Sequence, residues 1–138
     1  MKYIKLNTNW NAEPNAPKVE IKIQGDKLEL EFFLNSFIFD HVNEGDKGQL
    51  LFTDCNKYSF NSCNDEGYFR GQYRYKNETL PWGEFYELMH DGEIDFHSDY
   101  KMVKDKTNEI GLKHFIFFFR DNTFECIARD FKFRYLNN

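Results

Sequence analysis

The 138-residue chain reads as a mainly β protein, a single antiparallel domain over residues 1–138 folded as a sandwich or a strongly curved sheet, with room for one short helix. Three observations predict that class. Apolar and polar residues alternate with period two along most of the chain, as they do when one face of a strand is buried. Aromatic residues make up 19% of the sequence and phenylalanine occurs sixteen times, which is ample material for a β core. A chain of this length buries roughly two thirds of the surface its unfolded form exposes, which suits one core and not two.

The elements follow in order. "MKYIKL" alternates over Tyr3 to Leu6 and gives a short first strand, ended by the turn-forming "NTNWNAEPNAP". "KVEIKI" sets Val19, Ile21 and Ile23 against charged neighbours, Gly25-Asp26 permits a tight turn, and "KLELEFFL" resumes with Leu28, Leu30 and Phe32 on one face. Residues 18–34 are thus expected to form a hairpin with one buried face. "NSFIFDHV" is aromatic but aperiodic, "NEGDKG" is a loop, and "QLLFTD" is a further strand. "CNKYSFNSCNDEG" holds too many turn formers to be regular throughout. In "YFRGQYRYK", Phe69, Tyr73 and Tyr75 share one side while Tyr68, Arg70, Gln72, Arg74 and Lys76 share the other, a strand with an apolar face and a cationic one.

"LPWGEFYELMH" is ambiguous. Trp82, Phe85, Tyr86 and Met89 have helical spacing, with Thr79 as an N-cap. Gly83 costs about 1 kcal/mol inside a helix relative to alanine, and the flanking chain is strand-like, which favours a strand. The clearest element is "KHFIFFFRDNTFECIARDFKFRYL". A two-residue turn at Asp121-Asn122 places Phe119 opposite Phe124, Phe117 opposite Cys126 and Phe115 opposite Ala128, an apolar core face. The other face pairs Ile116 with Ile127, Phe118 with Glu125 and His114 with Arg129, a mixture that implies partial cover by another layer. Beyond Arg129-Asp130 the apolar phase moves to Phe131, Phe133 and Tyr135, which predicts a β-bulge. The expected core contains Leu30, Phe32, Phe69, Phe115, Phe117, Phe119, Phe124 and Cys126.

No catalytic signature emerges from this frame, and no motif calls for a cofactor. His41, His90, His97 and His114 have no spacing that commits one of them as base to a cysteine nucleophile, and Cys126 reads as a buried, inert thiol. Cys55 and Cys63 could share a zinc with histidines, but the seven-residue gap between them is not a usual ligand spacing. "GYFRGQ" lacks the spacing and the lysine of a phosphate loop. In "DGEIDFHSDYKM" a strand directs Glu93, Asp95, His97 and Asp99 to one outer face, where alternate residues about 7 Å apart can share a divalent cation through Asp95, His97 and Asp99. The plainer account of that face is a solvated edge strand whose charges discourage edge-to-edge pairing. The Tyr/Arg face of residues 68–76 is similar to a stacking platform for single-stranded nucleic acid, but a formal charge of −5 and a pI near 5.4 oppose it. Trp82, Tyr86 and Trp10 offer a sugar platform as an alternative.

The three cysteines form no C-x-x-C pair and suit a reducing compartment; with no leader or spanning segment, the expectation is a cytoplasmic protein. Asn77-Glu78-Thr79 matches a glycosylation acceptor but carries no weight without a secretion signal. The charge is unevenly placed. Residues 77–100 hold seven carboxylates and no lysine or arginine, so the formal −5 divides into −7 there and +2 elsewhere. Acidity with aromatic anchors suits fast recognition of a basic protein, because opposite fields speed encounter and buried aromatics hold the complex. The candidate partner-binding residues are therefore Trp82, Glu84, Tyr86, Glu87, Asp91, Glu93, Asp95, His97 and Asp99, with neither nucleic acid nor membrane as the partner.

The stretches "RYKNETLPWGEFYEL" and "HFIFFFRDNTFECIARDF", with the acidic, aromatic and asparagine-rich character of the whole chain, carry a resemblance. The chain resembles the small cytoplasmic immunity proteins that bacteria encode beside polymorphic or contact-dependent toxins. That resemblance implies one partner, typically a nuclease or another toxic enzyme, inhibited by tight stoichiometric binding, and it assigns no individual residue a role. The alternatives are a small-ligand or carbohydrate-binding β module and, third, a divalent-metal-dependent enzyme.

Overall fold

A computed structural model describes residues 2–62, 81–90, 100–104 and 111–136. Among them lie ten strands and no helix: β1 (Lys2–Lys5), β2 (Glu20–Gln24), β3 (Lys27–Phe33), β4 (Lys47–Thr53), β5 (Lys57–Asn61), β6 (Phe85–Met89), β7 (Lys101–Met102), β8 (Lys113–Phe118), β9 (Thr123–Ala128) and β10 (Asp130–Leu136). They form two antiparallel sheets, of order β1-β6-β8-β9-β5-β7 and β10-β4-β3-β2. The mainly β expectation holds, and the short helix it allowed for does not occur among the described residues.

The two sheets share one core because alternate residues on each are apolar. Leu28, Leu30 and Phe32 of β3 and Leu50 and Phe52 of β4 meet Phe85, Phe115, Phe117 and Phe124 of the larger sheet. Phe32 meets Phe117 edge-on at 5.3 Å, and Phe52 lies 5.3 Å from Phe115 and 5.5 Å from Phe124. Trp10, in the connection from β1 to β2, closes one end of this core, stacked on Phe133 at 3.9 Å and on Phe32 at 5.8 Å. Of the expected core residues, Phe69 lies outside the described residues and the other seven are buried.

The expected hairpin of β2 and β3 forms about Gly25-Asp26, with Gln24 facing Lys27 and Gly25 at a φ of 64° that a tight turn requires. β5 is a regular strand inside the turn-rich "CNKYSFNSCNDEG". The strand expected at residues 68–76 lies outside the described residues. Two expectations need correction. In the β8–β9 hairpin Phe117 faces Phe124 and Phe115 faces Cys126, two residues from the expected register. Phe119 donates its N–H to the Asn122 carbonyl (2.9 Å), so the turn is Arg120-Asp121, and neither residue has a positive φ. That shift leaves Phe119 buried and puts the charged Arg120 and Asp121 at the exposed tip.

The second correction concerns Arg129. The phase shift there is no bulge; the chain leaves the larger sheet after β9 and enters the smaller one as β10, paired with β4. A strand that changes sheets must present its other face to the shared core, which moves the apolar phase by one residue. The corner is fastened to the other crossing nearby, between β4 and β5. Arg129 Nε donates to the Asp54 carboxylate (2.7 Å), Lys104 Nζ donates to its other oxygen (3.0 Å), and the Arg129 N–H reaches the Thr53 carbonyl (3.1 Å). His114, expected opposite Arg129, faces Ile127 instead.

The second face of the larger sheet is also buried. His114, Ile116 and Phe118 of β8 and Thr123, Glu125 and Ile127 of β9 are all inaccessible, so the cover expected from their mixed chemistry is present and complete along these strands. Tyr86, Leu88, Ile116 and Phe118 form a separate apolar cluster there, with Trp82 packed against it.

Candidate functional site

The residues proposed from sequence to bind a partner separate into four groups. Asp91, Glu93, Asp95, His97 and Asp99 lie outside the described residues. Trp82 is half-buried, its ring 4.6 Å from Phe118. Tyr86 is 2% exposed and its hydroxyl donates to the Pro81 carbonyl (2.7 Å), which makes it a packing residue of the second cluster where an accessible anchor was expected. Glu84 and Glu87 are partly accessible; Glu87 sits in register with Ile4 and Phe115, and Glu84 immediately precedes β6. The helical spacing of Trp82, Phe85, Tyr86 and Met89 is coincidental, because Gly83, at φ 96°, turns the chain before the strand begins.

Glu84 has a defined setting. The Asn7 side chain, itself buried, donates to the Glu84 carboxylate and to the Trp10 carbonyl (3.0 Å) and accepts the Phe85 N–H (3.1 Å). Asn11 donates to the Gly83 carbonyl (2.7 Å), so the turn before β6 is bound to the connection after β1. Lys5, Asn7, Thr8, Asn9, Trp10, Phe39 and Glu84 line a cleft of about 320 Å³ at this junction, at the small end of ligand pockets. Lys5 Nζ lies 3.6 Å from Glu84 as a loose, exposed ion pair.

Phe39 connects the cleft to the loop between β3 and β4, where the largest exposed apolar side chains are found. Phe37 is 71% and Ile38 69% exposed, side by side in sequence. Their loop is well braced. Phe37 donates its N–H to the Asn35 side chain (2.8 Å), Asn43 and Asp46 exchange hydrogen bonds of 2.8 and 3.0 Å, and His41 bonds the Tyr135 hydroxyl (3.1 Å). Residues 35–46 carry Asp40, Glu44 and Asp46 and no lysine or arginine. An apolar pair on a fixed, acid-flanked loop is the pattern of an interface anchor with a charged rim. The sequence signal was present in "NSFIFDHV": three consecutive apolar residues without strand or helix period, bordered by an acid.

The sequence reading also missed a buried polar chain on the second face of the larger sheet. Glu125 accepts from the Tyr100 hydroxyl (2.9 Å) and from His114 Nε2 (2.8 Å), and His114 Nδ1 bonds His90 Nε2 (2.8 Å). Each ring nitrogen of His114 therefore has a hydrogen-bond partner. The Tyr100 hydroxyl also lies 3.4 Å from His114 Nε2, so Tyr100, His114 and Glu125 meet around one carboxylate oxygen, while among the described residues no cluster of His, Cys, Asp or Glu is arranged to hold a metal. His114 is wholly buried, so the arrangement orients side chains and meets no substrate through that ring. Cys55 and Cys126 are free and buried, and burial, reinforced by the adjoining Cys55 thiol, pushes the Cys126 thiol well above the ordinary range, as an inert core cysteine requires. Cys63 lies outside the described residues.

The fold defines the class of the molecule as a two-sheet antiparallel β-sandwich. Comparison of the chain with protein-family models, curated proteins and solved structures finds no match. Among the described residues no helix is long and apolar enough to cross a membrane.

Proposed function

We propose that the chain is a non-enzymatic, protein-binding inhibitor, most concretely a cytoplasmic immunity protein that neutralises a cognate bacterial toxin through an acidic, aromatic surface. The observation that supports this reading is the exposure of Phe37 and Ile38 on a braced loop with three carboxylates and no cation. Exposed apolar pairs of this kind are costly in water and gain when a partner covers them, while the surrounding acids favour a partner of basic surface. The acidic run of residues 77–100 adds to the same field.

The runner-up, a small-ligand-binding β module, draws support from the cleft at Glu84 in place of the Trp82 and Tyr86 platform. Co-expression with the product of a toxin-like gene encoded beside this one separates the two. The expected result is rescue of growth and a stoichiometric complex, with Phe37→Asp losing both while melting at the parent temperature. Full rescue by that variant, or no rescue from any adjacent toxin-like product, rejects the reading.

A further inference from the structure

Resting on the docking reading and deepening it, we infer that the cleft lined by Lys5, the Asn7–Trp10 turn, Phe39 and Glu84 is a socket for an arginine side chain of the protein partner. Phe39 belongs to both the anchor loop and the cleft wall, so a partner seated on Phe37 and Ile38 lies beside the opening.

The chemistry of the walls selects the occupant. The Glu84 carboxylate is fixed by Asn7 and remains 29% exposed, ready to accept further hydrogen bonds. Lys5, its present companion, is 54% exposed at 3.6 Å, and exposed pairs of that kind contribute little, so an incoming cation displaces it easily. A lysine from the partner exchanges one ammonium point charge for another and gains nothing. A guanidinium presents a planar fork of donors to the carboxylate and can stack flat on the Phe39 ring, bidentate and planar contacts that an ammonium cannot reproduce. Thr8 and Asn9, the latter held at φ 61°, add acceptor oxygens to the rim.

Two other occupants fit poorly. A sugar could stack on the Phe39 ring alone, since Trp10 is 5% exposed with Phe133 stacked at 3.9 Å and Phe32 at 5.8 Å, and a sugar brings no charge to match the Glu84 carboxylate. An anion is repelled by the Glu84 carboxylate that Asn7 holds in the wall.

The test uses the whole chain and small probes. N-acetyl-arginine amide, N-acetyl-lysine amide and glucose are titrated separately while the side-chain amide signals of Asn7 and Asn9 and the Trp10 indole signal are followed by NMR. Saturable shifts at these three residues are expected with the arginine probe, with at least about tenfold weaker binding for the lysine probe. Glu84→Gln, which keeps the acceptor for Asn7, should abolish the arginine response without altering the rest of the spectrum. Absence of saturation, an equal response to lysine, a preference for glucose, or an unchanged Glu84→Gln titration each overturns the inference. Failure here with Phe37→Asp still destroying the partner complex removes the socket alone; an arginine response with Phe37→Asp still binding the partner removes the docking reading.

Discussion

At Gly48 a single methyl group separates close packing from collision. The residue lies on β4 opposite Tyr135 and Phe32, and a Cβ there meets Phe133 at 2.8 Å and Leu34 at 2.9 Å. Phe133 is itself stacked on Trp10, so it cannot retreat without disturbing the end of the core. Gly48→Ala should therefore cost about 1–3 kcal/mol in urea unfolding, the usual penalty for overpacking, despite alanine's lower chain entropy. Asp54 makes a residue-scale prediction of a different kind. Hydrogen bonds from Arg129 and then Lys104 hold its carboxyl below the ordinary value of 3.8. A carboxyl depressed in the folded state stabilises the fold above 3.8, and that contribution disappears as pH falls through the lower folded value. The melting temperature should fall on acidification below about pH 4 more steeply in the parent than in Asp54→Asn, which has no carboxyl to protonate; parallel profiles refute the role given to this corner.

At the scale of elements, what could be read from sequence was parity, and what could not was register and connectivity. A slip of two residues between β8 and β9 leaves every side chain on its face, so Phe115, Phe117, Phe124 and Cys126 were assigned to the core correctly although their cross-strand partners were not. The turn was misplaced because Asp121-Asn122 has the stronger local preference, while burial of Phe119 decides the actual position at Arg120-Asp121. A phase shift at Arg129 is the same string of letters whether a strand bulges or changes sheets; only pairing with β4 distinguishes them. The candidate site was legible in part. Glu84 lines the cleft as an accessible acid, but Tyr86, read as an exposed anchor, is buried in an apolar cluster with Leu88, Ile116 and Phe118 that alternation along its own strand does not reveal. On the same face His114 and Glu125 are buried, and their 2.8 Å contact is predicted to be costlier to break than to replace. His114→Leu should lose about 3 kcal/mol or more by leaving a buried carboxylate short of a partner. The double variant His114→Leu, Glu125→Met also removes the contacts of Tyr100 and His90 with these side chains, so it should recover only part of that loss, and a double-mutant cycle in urea measures the difference. Additive losses refute the pairing.

For the whole molecule, the proposed docking surface combines charges that act at a distance with an apolar pair that acts on contact, and the two should fail in different kinetic steps. Asp40 and Glu44 lie in the same loop as Phe37 and Ile38. Reversing Asp40 and Glu44 to lysine should slow association with a basic partner by about tenfold at low salt and far less at high salt, since exposed charges are screened beyond about 10 Å at 0.1 M ionic strength. If the acidic run of residues 77–100 takes part in recognition, reversing Glu93, Asp95 and Asp99 should act in the same direction. Phe37→Ala removes desolvated contact without altering the field, so association should hold while dissociation accelerates by about thirtyfold, the equivalent of about 2 kcal/mol for an interface hot spot. That acceleration should be nearly independent of salt, because it reports apolar burial and not charge. Stopped-flow rates at two ionic strengths resolve the scheme once the partner is in hand. A Phe37→Ala complex that dissociates at the parent rate places the anchor elsewhere, and lysine variants that associate at the parent rate in low salt reduce the acids to an ordinary solvated rim.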